Sequence, residues 1–162
     1  LAVHGLLSCV LVGSHPLSPY HLFLVVAVGQ PVRGGLYWPY GCGLKERVYG
    51  PTLMLRICDR AATLGLPIAL YGSKPSVLTA LSENLQRKFP RLKIVDQQPS
   101  RFRQVTSEEQ IEIANQIRES GARIVFVGLG CPRQEVWVYE NRELLGIPAI
   151  AVGAAYDFHA GL

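Results

Sequence analysis

The chain has 162 residues, 49% of them apolar and 17% charged, and carries a net charge of +4. That is the composition of a single globular domain with a core of ordinary size. The basic residues are scattered rather than blocked, which excludes a nucleic-acid footprint, and no apolar stretch is long enough to span a bilayer.

A mild positive charge suits an acidic ligand such as a nucleotide, or an anionic membrane surface. Cys9, Cys42, Cys58 and Cys131 form no Cys-x-x-Cys pair. They are expected as reduced, mostly buried thiols of a cytoplasmic protein, with no disulfide and no zinc site. His4, His15 and His21 have no partners at metal-ligand spacing, and no metal is expected.

In chain order, residues 1–21 carry the weakest signal. Leu6–Val12 has strand character, and Gly13–Pro19 is turn chemistry. His21–Val28 reads as a buried strand ending at Gly29. Val32–Gly43 is rich in glycine and aromatics and reads as a loop. Lys45-Glu46-Arg47 is a small charged cluster, after which Pro51 opens a helix. In that helix Leu53, Ile57, Ala61 and Leu64 recur at helical spacing, and Gly65 ends it.

Leu66–Tyr71 predicts a strand closed by Gly72-Ser73. The next helix starts near Pro75, with Ser73 as its cap, and buries Val77, Leu78, Leu81 and Leu85. Phe89-Pro90 stops it. Leu92–Val95 predicts a strand, and Asp96–Val105 a polar loop. Thr106 to Gln110 is a capping-box pattern, opening a helix that buries Ile111, Ala114 and Ile117 and ends at Gly121.

Arg123–Val127 is the central strand. Its turn, Gly128-Leu129-Gly130-Cys131, leads into a helix from Pro132 that carries Val136, Trp137, Tyr139 and Leu144 and ends at Gly146 and Pro148. Ala149–Val152 is the last strand, followed by Gly153 to Phe158.

Strands alternating with helices of ten to fifteen residues predict an α/β fold. It is a Rossmann-like parallel sheet with helices on both faces, in a single domain. Right-handed crossovers would bring the Gly72, Gly128 and Gly153 turns to the carboxyl edge of the sheet, where ligands bind. Free N–H groups and the dipole at the helix after Gly130 would favour an anion there.

Each residue at that edge has two readings. Gly128 and Gly130 serve either ligand approach or tight strand-to-helix packing. Gln134 and Glu135 either hydrogen-bond a sugar or base, or complement the helix dipole. Arg47 either neutralises a phosphate or pairs with Glu46. Asp157 either orients a ligand or is an ordinary turn residue. The dinucleotide fingerprint is incomplete, because Arg133 stands where its third glycine belongs. No acid follows an early strand, which also counts against a nicotinamide-dependent oxidoreductase.

Three segments come in order at family-like spacing. They are Lys45–Pro51, Val127-Gly128-Leu129-Gly130-Cys131-Pro132-Arg133-Gln134-Glu135, and Val152-Gly153-Ala154-Ala155-Tyr156-Asp157-Phe158-His159-Ala160-Gly161. Together they resemble the WecG/TagA/CpsF glycosyltransferase family, over residues 22–162.

The resemblance implies a bacterial hexosyltransferase of cell-surface polysaccharide synthesis. Such an enzyme moves an N-acetylmannosamine-like sugar from a UDP-sugar donor to a polyprenyl-diphosphate-linked acceptor at the inner membrane face. It also implies that Arg47 contacts the donor phosphate or sugar, and that Gln134 lines the same pocket. Gly128 and Gly130 would admit the nucleotide, and Asp157 would lie near the nucleoside. Gly72 and Glu135 complete the expected substrate-binding edge. No cofactor is implied, and a homo-oligomer is left open.

Two departures stand out. Val28 falls where the family has the Asp of an Asp-Gly pair, its favoured general base. The family also continues past Gly161 into a basic tail that touches the membrane, so the chain is expected to be truncated there. The alternative expectation is a catalytically inactive nucleotide-sugar binding module.

Overall fold

The computed structural model describes residues 50–103 and 105–161. The strands expected at Leu6–Val12 and His21–Val28, the loop at Val32–Gly43, Val28, Arg47, Cys9 and Cys42 all lie outside them. The described chain runs α1 (Gly50–Leu64), β1 (Ile68–Gly72), α2 (Pro75–Lys88), β2 (Ile94–Gln98) and α3 (Ser107–Glu119). It continues with β3 (Ile124–Gly128), α4 (Arg133–Leu145), β4 (Ala149–Ala151) and α5 (Ala155–Ala160). The four strands form one all-parallel sheet in the order β2-β1-β3-β4. Helices cover both faces, as the sequence predicts for a Rossmann-like α/β domain.

The alternation of β1 and β3 sorts the core into two layers. Ile68, Leu70 and Phe126 face a cluster built from α1, α2 and α5, including Met54, Leu81, Leu85 and Tyr156. Ala69, Tyr71, Val125 and Val127 face α3 and α4, meeting Ile113, Ile117, Trp137 and Leu145. All five residues of β1 are buried, as befits a strand covered on both faces. Each fully buried Leu or Ile contributes about 1.5–3 kcal/mol relative to exposure.

Several elements differ from their sequence-based bounds. β2 runs on to Gln98, so Asp96–Gln98 is strand rather than loop. It lies at one end of the described sheet, where polar side chains tolerate the exposed positions. In α1 the buried face is Pro51, Met54, Cys58 and Ala61, while Leu64 is 63% exposed. In α3 Ile113 is buried and Ile111 is exposed. In both helices two apolar registers compete, and packing against the sheet selects one. Ser73 does not cap α2: it takes φ 57, and Lys74 is the N-cap residue without a side-chain bond.

The capping box at Thr106 forms as expected, with Glu109 N–H donating to the Thr106 hydroxyl and Thr106 N–H to the Glu109 carboxylate. α5 is a short helix that follows the Gly153 turn directly, which the sequence reading left unassigned.

Candidate active site at the carboxyl edge of the sheet

β1 connects to β2 on one side and pairs with β3 on the other, so the strand order reverses between β1 and β3. A crevice opens at the carboxyl ends of strands that part in this way. Gly72 and Gly128 are paired in register at its floor. Gly72 has φ 119, and a Cβ there would stand 2.4 Å from the Gly128 carbonyl oxygen. A Cβ on Gly128 would meet the Tyr156 ring at 2.7 Å. Neither position has room for a side chain, so the packing reading of these two glycines is satisfied whether or not a ligand is bound.

The loops above are stitched together. Ser73 N–H donates to the Gly128 carbonyl at 3.1 Å, and Ser100 N–H to the Ser73 carbonyl at 2.9 Å. The Tyr156 hydroxyl accepts from Tyr71 N–H at 3.2 Å and donates to the Phe126 carbonyl at 2.7 Å, bridging β1 and β3. Complete burial holds this phenol far above its ordinary ionisation range, so it remains a donor. Tyr156 thereby ties the turn after β4 to the floor of the crevice. Nothing in the local sequence marks it for that task.

Gly130 has φ 81 with open space around it, so its glycine serves the backbone conformation. The Cys131–Pro132 peptide is cis, Pro132 is the N-cap residue, and α4 begins at Arg133 rather than at the proline. The helix N-terminus is less open than the sequence suggests. Of the N–H groups that precede the first intrahelical bond, which Val136 makes to the Pro132 carbonyl, that of Gln134 donates to the Gly130 carbonyl. Those of Arg133 and Glu135 have no backbone partner among the described residues.

Gln134 is 4% exposed and joins two elements. Its Oε1 accepts from Gly153 N–H at 3.2 Å, and its Nε2 donates to Glu135 Oε1 at 2.9 Å. The other oxygen of Glu135, Oε2, is buried and has no hydrogen-bond partner among the described residues. Thus Gln134, Glu135 and the Gly153 turn form one hydrogen-bonded group beside the Gly128 floor. Asp157 is exposed on the first turn of α5, next to Tyr156, and its carboxylate bonds to no described residue. It flanks the group without being part of it. His159 Nε2 lies 2.8 Å from the Pro51 carbonyl and, with Asn84 donating to the His159 carbonyl, pins α5 between α1 and α2.

On the opposite side, Tyr71 packs against Trp137 with ring centroids 4.6 Å apart. Burial raises the Tyr71 phenol, with Arg133 and Arg101 opposing and Glu109 reinforcing the shift. Arg103 and Arg101 both bind Glu109. The Arg103 hydrogen bond is the main reason why the Glu109 carboxyl is pulled down to about 2. A groove of about 800 Å³ between α3 and α4, lined by Thr106, Gln110, Ile111, Asn141 and Leu144 among others, contains none of the expected site residues.

A family model described as "Glycosyl transferase WecG/TagA/CpsF family" matches residues 20–162. The chain belongs to the WecG/TagA/CpsF glycosyltransferase family. The match spans the crevice, its three glycine turns and the Arg47 segment alike. WecG/TagA/CpsF membership makes the chain a member of a transferase family of cell-surface polysaccharide synthesis, in which a nucleotide sugar is the donor and a lipid-linked molecule the acceptor. It favours sugar transfer over the nicotinamide reading, in line with the arginine at position 133. Among the described residues no helix of this WecG/TagA/CpsF chain is long and apolar enough to cross a membrane.

Proposed function

We propose that the crevice between β1 and β3 binds a UDP-hexosamine, with an N-acetylmannosamine-like sugar. The sugar then passes to a polyprenyl-diphosphate-linked saccharide at the inner face of the bacterial membrane. The observation that carries this reading is Gln134. A nearly buried polar side chain at the carboxyl edge, fastened to the Gly153 turn, is an oriented hydrogen-bonding group at the place where this sheet topology accepts ligands.

The diphosphate takes the free N–H groups at the start of α4 and the guanidinium of Arg47. Gly50, which opens α1, lies against Val152 beside the Gly153 turn. Three residues of extended chain reach about 10 Å, which is enough for Arg47 to approach from there. Asp157 offers an acceptor to nucleoside hydroxyls, and Glu135 one to hydroxyls at the sugar end, away from the UDP moiety. The reaction is a displacement at the anomeric carbon: the acceptor oxygen bonds to it as its bond to the diphosphate breaks.

Titration calorimetry with UDP tests the donor site. Binding should weaken at least tenfold in Gln134→Ala and in Arg47→Ala, the loss of one buried or charge-assisted hydrogen bond being about 1.5–3 kcal/mol. Unchanged affinity in both removes these residues from the site, and no UDP binding by the native sequence ends the reading. A second reading rests on Val28, which cannot accept a proton: the chain binds the nucleotide sugar without turning it over. Turnover that appears only in Val28→Asp would establish that reading.

A further inference from the structure

Transfer to a hydroxyl acceptor releases a proton, and the acceptor oxygen becomes a good nucleophile only as that proton leaves. Val28 offers no group to take it. The described carboxylates at the carboxyl edge are therefore the place to look.

Two acids stand beside the Gly153 turn. Asp157 is exposed and no described residue fixes its carboxylate. Glu135 is different. Its Oε1 is held at 2.9 Å by Gln134 Nε2, whose own oxygen is held at 3.2 Å by Gly153 N–H, so the carboxylate is oriented by a two-step relay. Its Oε2 is buried and accepts from no donor among the described residues. Leaving a buried acceptor unsatisfied costs about 1–3 kcal/mol, and more when the group is charged. Such groups in a native protein call for an explanation, a catalytic role among them. Here the orphaned oxygen belongs to a side chain in the first turn of α4, where its helix opens at the crevice.

We propose that Glu135 is the general base of the transfer reaction in this chain, Oε2 taking the proton of the acceptor hydroxyl. This rests on the reading of the crevice as a nucleotide-sugar site. In the step, the acceptor O–H hydrogen moves to Glu135 Oε2 while the oxygen forms its bond to the anomeric carbon. The bond from that carbon to the UDP oxygen breaks, and its electron pair leaves on UDP. Glu135 later returns its proton to water. Gln134 acts here as a positioning residue, since its Nε2 occupies Oε1 and leaves Oε2 as the free acceptor.

The test uses the full chain. UDP release from UDP-N-acetylmannosamine is followed in the presence of a short-chain polyprenyl-diphosphate-linked saccharide, with UDP affinity measured in parallel by calorimetry. Glu135→Gln keeps the shape of the side chain and an oxygen for Gln134 Nε2. UDP affinity should stay within about twofold, while turnover falls ~10²–10⁴-fold, the usual contribution of a positioned base. Glu135→Ala should be equally slow and should be accelerated by added formate, a small carboxylate that can occupy the vacated space. A purely structural role would give neither the rescue nor the separation of affinity from turnover.

Turnover of Glu135→Gln within tenfold of the native rate overturns the proposal, as does a Glu135→Ala variant that binds UDP but gains nothing from formate. Native protein that binds UDP yet turns over only as Val28→Asp overturns it too, and leaves the nucleotide site standing. Failure of the native chain to bind UDP removes the site itself, and the base with it.

Discussion

Two glycines at the floor of the crevice are required by distance rather than by chemistry. Gly72 combines φ 119 with a backbone oxygen 2.4 Å from where its Cβ would lie. Gly72→Ala should therefore cost on the order of 3 kcal/mol, because strain and overpacking add and a carbonyl of the neighbouring strand cannot step aside. Gly128→Ala meets an aromatic ring instead, and should cost about 1–3 kcal/mol. Urea denaturation should rank the two variants in that order; equal stability of Gly72→Ala and the native chain would contradict the geometry. Both residues had a functional reading in the sequence alone. The structure supplies a sufficient packing reason for each, so neither glycine can serve as evidence of a ligand by itself.

At the scale of elements, α3 shows how far local sequence can specify structure. Thr106, Glu109 and the apolar residues that follow are enough to set its start, because every partner in the capping box lies within three residues. Thr106→Ala should cost about 1 kcal/mol, read as a lower urea midpoint. Glu109 adds an acid-sensitive contribution. Its carboxyl is pulled from an ordinary 4.5 down to about 2, first by the Arg103 hydrogen bond and then by the Thr106 N–H. The folded value lies below the unfolded one, so this contribution is complete above pH about 4.5 and disappears as pH falls towards 2. Stability measured across that window should fall less steeply in Glu109→Gln than in the native chain. α4 is the counter-example. Its start was expected at Pro132 with open N–H groups, but the helix begins at Arg133 and the Gly130 carbonyl of the loop takes the N–H of Gln134.

For the whole molecule, ligand linkage is the relevant measurement. A ligand that binds only the folded state stabilises it by about 2.7 kcal/mol at a hundred times its Kd. UDP at a hundred times the native Kd should accordingly raise the melting temperature of the native chain by several degrees, and Gln134→Ala should lose about half of that rise or more. An equal rise in both would place the nucleotide away from the Gly153 turn.

The alternation of strands and helices, the three glycine turns and the buried face of α2 were legible in the residues, because periodicity and turn chemistry are local; in α4 only Trp137 of the expected Val136, Trp137, Tyr139 and Leu144 is buried, beside Gln134, Asn141 and Leu145. So was the family, since its three segments keep their order and spacing whatever they touch. Other features depended on which distant segments meet. The contact of Gln134 with Gly153, the hydroxyl of Tyr156 between two strands, the anchoring of His159 on Pro51 and the orphaned oxygen of Glu135 join residues from different elements or depend on the burial those elements create. The choice between two apolar registers in α1 and α3 was settled in the same way, by the sheet each helix packs against. Local sequence determined the elements and their order; only the assembled fold decided which polar atoms found partners and which, Glu135 Oε2 and Trp137 Nε1 among the described residues, were buried without one.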